Sequence, residues 1–147
     1  MEESDIQRLE SHRSALKREW EDLLRTEPTL SPLGNPDTLV YMMDETLDRL
    51  CTALRVHAPL PDLRSQRPPL PRRCSCGLNP LLNYFATGEL AVHAAAAALF
   101  GPAAGEAVAQ FHRLAEREID MLCSVCCYRG QPAPGPRRHD EFAGSSR

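Results

Sequence analysis

The amino-acid sequence predicts an all-α fold, a single antiparallel four-helix bundle with a Pro-rich crossover between helices 2 and 3. Apolar residues recur at helical spacing in four separate segments, the pattern of helices that bury one face. Two of those segments open on the same dipeptide, Asn35-Pro36 and Asn79-Pro80. In each, Asn supplies a cap for the first amides and Pro a preset φ at the first helical position. The thirteen prolines otherwise stay out of the periodic segments, because proline inside a helix removes a hydrogen bond and clashes with the preceding turn. Residues 1–130 form the helical domain on this reading, with 59–73 as an internal Pro/Arg-rich linker and 131–147 as a disordered tail.

The first helix is read from Ile6, Leu9, Leu16, Trp20 and Leu23, with Arg13 interrupting an otherwise regular three-four spacing. It stops near Thr26-Glu27-Pro28, since a residue before proline is pushed out of the α region. The second begins at Asn35, with Asp37 at the positive end of its dipole, and buries Leu39, Met43, Leu47, Leu50 and Leu54. Cys51 lies beside that stripe and reads as a small buried hydrophobe. His57 falls near the negative end of the same helix.

Between Ala58 and Arg73 five prolines alternate with Arg64, Arg67, Arg72 and Arg73, a composition that favours an extended, partly polyproline connection over any helix. Arg67-Pro68-Pro69-Leu70-Pro71 also has some likeness to ligands of aromatic-lined grooves; a plain linker is the preferred reading. The third helix carries Leu81, Phe85, Val92, Ala95 and Leu99 on one face, and the alanines at 94–98 leave a thin surface for a close neighbour. Gly88 inside it costs about 1 kcal/mol relative to Ala, which points to a crowded crossing. After Gly101-Pro102 the fourth helix buries Val108, Phe111, Ala115, Ile119, Leu122 and Cys126, and Gly130 ends it.

With 147 residues the chain can bury a core without disulfides. A net charge of −3 gives no basic field to attract nucleic acid or anionic lipid. The start, Met1-Glu2-Glu3-Ser4-Asp5, has neither the basic residues nor the apolar core of a signal peptide. The longest apolar run, Leu90 to Phe100, is broken by His93 and is shorter than the roughly 20 residues that span a bilayer. A cytoplasmic protein is expected, without nucleic-acid or membrane partners. Partner proteins and oligomeric state are not legible. In a reducing compartment six cysteines read as ligands, redox thiols or buried small residues rather than a disulfide framework.

The sharpest chemical signal is where those cysteines fall. If the last two helices form a matched hairpin turning near residues 102–103, partners across it have indices summing to about 205. Cys126 and Cys127 then lie opposite residues 78–79, close to Cys74 and Cys76. Cys123, Cys126 and Cys127 share one helix face, and the positive end of the third helix favours thiolates at Cys74 and Cys76. Four thiolates converging from two segments are what a tetrahedral zinc site requires. Zinc is preferred over an Fe–S cluster, which all-thiolate ligands also serve. A dithiol redox pair in the Cys123–Cys126 spacing is the alternative, and incidental packing of the cysteines is the bland one.

A second constellation is Glu89 and His93 on the third helix with His112 and Glu116 on the fourth. Both pairs have i,i+4 spacing, and the hairpin register brings 89 opposite 116 and 93 opposite 112. Bundles assemble carboxylate-bridged metal centres from Glu and His on facing helices, but with a Glu-x-x-His spacing absent here. A lone inward histidine such as His112 is more often a hydrogen-bonded core group. Phosphate-binding glycine loops, nucleophile elbows and the zinc-protease motif are also missing, so a non-enzymatic role is favoured: a small zinc-binding regulatory or interaction domain.

Overall fold

A computed structural model of the chain describes residues 1–29, 31–56, 70, 74 and 76–130, the side chains of 126–130 excepted. Among these the regular structure is entirely helical: α1 (Glu3–Ser11), α2 (Arg13–Thr26), the single turn α3 (Pro36–Leu39), a 3₁₀ turn (Val40–Met42), α4 (Met43–Val56), α5 (Leu81–Phe100), a second 3₁₀ turn (Gly101–Ala104) and α6 (Gly105–Gly130). The four long apolar patterns thus fold into a helical bundle. Residues 57–69, 71–73 and 131–147, which include His57, most of the expected linker and the whole expected tail, lie outside the described residues.

The first predicted helix is two. The helix is interrupted by a turn at His12, with φ −89° and ψ −1°, whose N–H bonds to the Arg8 and Leu9 carbonyls. The irregularity at Arg13 in the sequence pattern marks this break. The bend turns Arg13 toward α4, where its guanidinium pairs with Asp48. Beyond it Leu16, Trp20 and Leu24 are buried, while Leu23 is only partly so. The second predicted helix begins as expected: Asn35 Oδ1 accepts from the Asp37 amide at 3.0 Å with Pro36 at the first position. All five of its expected core residues, and Cys51, are buried.

α5 is the central element. Ten of its residues are buried, including Leu82, Tyr84, Thr87, Ala91 and Ala96 outside the single stripe predicted for it. Burial on several sides follows from its low polarity, and it packs against α1, α2 and α6. By length and composition alone the Leu81–Val125 stretch includes one helix apolar enough to cross a membrane. Counting uninterrupted apolar runs missed this, because Asn83, Thr87, Glu89 and His93 interrupt the apolar residues of α5. Burial of Ala91, Val92, Ala95 and Ala96 in the bundle is the packing of a core helix.

Trp20 organises the centre. Its ring is fully buried, its indole N–H donates to the Tyr84 carbonyl at 3.0 Å, and Phe111 meets it edge-on at 5.5 Å. Gly88 lies beneath it: a Cβ there would come within 2.5 Å of Trp20 Cε2 and 2.7 Å of Phe111 Cζ. The crowding inferred at Gly88 is therefore real, and two aromatic rings cause it.

Surface charges fix how the helices meet. Arg55 reaches Glu3 and Glu10 at 3.2 and 3.0 Å, Lys17 reaches Asp44 at 2.5 Å, and Arg25 reaches Asp37 at 2.7 Å. Arg8 of α1 also donates to the Leu99 carbonyl of α5 at 2.7 Å. Such exposed pairs are screened by water and salt, so they specify register more than they add stability.

Candidate thiol site

The turn leading into α5 carries the site. Gly77 adopts φ +68°, a left-handed conformation natural to glycine, and its N–H closes back on the Cys74 carbonyl at 2.9 Å. That tight turn sets Cys74 and Cys76 side by side, with their Sγ atoms 3.3 Å apart. Cys123, half-buried on α6, presents its Sγ 3.1 Å from Cys74 Sγ. Three thiols from two segments therefore meet at one end of the α5–α6 pair. Cys74 is buried and the other two are partly so.

Two N–H groups point at this sulfur cluster. The Leu78 amide lies 3.4 Å from Cys76 Sγ, and Asn79 Nδ2 lies 3.2 Å from Cys123 Sγ. Asn79 is almost wholly buried and fully used: Oδ1 accepts from the Leu81 amide at 2.9 Å, and Nδ2 also donates to the Ile119 carbonyl at 3.2 Å. The turn is held from its other side by Ser31, whose hydroxyl donates to the Leu78 carbonyl at 2.8 Å. Sequence reasoning identified Asn79 as a helix cap but missed its second role, since that depends on where α6 lies. Ser31 offered no signal at all. Leu70, read as part of the linker, is buried in the core.

Cys126 and Cys127 follow Cys123 on the backbone of α6, which continues to Gly130; their side chains lie outside the described residues. Cys51 is buried between α1 and α4, away from the cluster on the bundle's own core stripe. Burial pushes its thiol up from the ordinary value; the nearby Glu10 adds to this, and Arg13 and Arg55 oppose it.

The Glu/His constellation assembles in part. His112 is buried with Nδ1 3.0 Å from Glu89 Oε1. Its Nε2 lies 3.4 Å from Glu116 Oε1 without a hydrogen bond. His93 is exposed on α5 and does not join them. The register expected from the turn is off by about one helical turn, with 89 meeting 112 rather than 116. Between the two helices lies the Gly101–Ala104 turn, which contacts both α5 and α6.

Among the described residues, no group of three or more His, Cys, Asp or Glu side chains is arranged as it stands to hold a metal ion. The thiols are closely spaced. Around a tetrahedral zinc with bonds of about 2.3 Å the sulfurs sit about 3.8 Å apart, whereas these lie at 3.1 and 3.3 Å. They touch one another rather than surround a cation. In the Glu/His group the two ring nitrogens of His112 face different carboxylates, Glu89 and Glu116. Compared with known proteins, the chain matches no family model, no curated protein and no solved structure.

Proposed function

We propose that the chain is a small helical zinc-binding domain, regulatory or interaction-mediating in role and cytoplasmic, with ligands drawn from Cys74, Cys76, Cys123 and one of Cys126 or Cys127. The observation that carries this is the approach of Cys74 Sγ to both Cys76 and Cys123, across a sequence separation of 49 residues in the second case. The amide donors at Cys76 and Cys123 support it, because N–H groups aimed at sulfur complement the charge of a metal-bound thiolate. Loading zinc requires the sulfurs to spread by roughly half an ångström, to the tetrahedral edge set by the bond length. An Fe–S cluster is the alternative occupant of the same ligand set.

The bundle in this reading is antiparallel. The residue pairings support α4 and α5 both opposing α1 and α2, so α4 and α5 run the same way and 59–73 has to cross back between them. Zinc would then tie that crossover to the end of the last helix. Elemental analysis of protein purified without chelator, together with thiol counting, tests the proposal. One zinc per chain, lost in Cys123→Ser, is the expected result; a metal-free protein of unchanged stability would sink it.

A thiol redox role is the second reading, favoured by the 3.1 Å separation of Cys74 and Cys123 Sγ. Closing to the covalent length of about 2.05 Å takes a shift of about 1 Å. The Cys123–Cys126 pair is the other candidate. Thiols that resist both oxidation and alkylation in the folded protein would exclude this role.

A further inference from the structure

We propose that Asn79 is the positioning residue of the thiol site, the joint that fixes Cys123 relative to the Cys74–Cys76 turn. This rests on the thiol-site reading and adds to it the group on which ligand alignment depends. One carboxamide serves both helices. Its oxygen caps α5 through the Leu81 amide at 2.9 Å, and its nitrogen divides two protons between the Ile119 carbonyl and Cys123 Sγ, each at 3.2 Å.

A carboxamide has one acceptor oxygen and two N–H donors, and here all three are committed. No other residue type supplies this set at that length. Aspartate keeps the acceptor for Leu81 but turns an oxygen toward another carbonyl and toward sulfur. Burial at 1 % exposure leaves no water to relieve that repulsion. The start of α5 would stay capped while the turn of α6 bearing Cys123 loses its anchor. Polar groups that orient metal ligands in this way typically change affinity 10–100-fold when lost.

The experiment compares the full-length chain with Asn79→Asp and with Ser31→Ala, which loosens the same turn without touching sulfur. Amide hydrogen exchange reads the joint without metal. Exchange over residues 119–125 is expected to rise about tenfold or more in Asn79→Asp, from the loss of the bonds to Ile119 and Cys123, while the Leu81 amide is unchanged. Zinc affinity, measured by competition with a chromophoric chelator, and the thiolate-to-cobalt absorption of the Co²⁺ form read the site. Affinity is expected to fall about 10–100-fold in Asn79→Asp and to stay within about threefold in Ser31→Ala. Unchanged exchange over 119–125 overturns the proposal, as does zinc held as tightly by Asn79→Asp as by the unmodified chain, or an equal loss in Ser31→Ala. If the unmodified chain binds no zinc but exchange rises as stated, the zinc reading fails and the joint stands.

Discussion

The Tyr84 hydroxyl and Thr46 Oγ1 lie 2.8 Å apart, both buried between α4 and α5. Thr46 Oγ1 also lies 3.0 Å from the Met42 carbonyl, so its one proton has two acceptors within reach and either hydroxyl can donate in the pair. Thr46→Val strands that phenol in the core at a cost of about 1–3 kcal/mol. Tyr84→Phe should relieve most of it, so the double variant is expected to be more stable than Thr46→Val alone. Urea denaturation of the two single variants and the double gives the coupling.

Burial also raises the Tyr84 phenol well above its usual range, with the Thr46 bond only partly offsetting this, and it raises the Cys51 thiol. Both groups are neutral when protonated and both are harder to ionise folded than unfolded. Their contribution to stability is therefore full below the unfolded values, about 8.5 for Cys and about 10 for Tyr, and is lost as pH climbs beyond them. Thermal midpoints should fall progressively above pH 9. Cys51→Ala should remove the earlier part of the decline.

Gly88→Ala gains up to about 1 kcal/mol in helix propensity but forces a methyl group against Trp20 and Phe111. Overpacking of this kind costs about 1–3 kcal/mol or more. Because rigid rings, not flexible chain ends, stand in the way, the balance should be destabilising. A lower denaturation midpoint at unchanged slope is the expected outcome.

His112→Ala separates the two metal hypotheses. Loss of the buried imidazole and its Glu89 bond should destabilise by about 1–3 kcal/mol. Zinc content should not change if the ligands are cysteines, and it should fall with Cys123→Ser. Metal that survives the cysteine change but leaves with His112→Ala would place it in the Glu/His group instead.

How far the sequence reached is clearest at Asn79 and Trp20. The Asn-Pro start of α5 was legible because capping is local, decided by residues within one turn. The core stripe of α4 was legible for the same reason, since the 3.6-residue period fixes one face whatever covers it. Trp20 could be assigned to the core but not to Gly88, because only packing of α2 on α5 brings them together.

By itself the sequence determined the helical class, the starts of α4's and α5's segments, and the presence of cysteines at both open ends of the last helix pair. Tertiary structure alone decided which cysteines meet and what holds them. The hairpin register differs by about one turn from the expected one, a shift no periodicity encodes because each helix keeps its own pattern under sliding. That shift put His112 against Glu89 and carried Ile119 and Cys123 to Asn79, so a residue read as a helix cap became the contact between the helix start and the thiols.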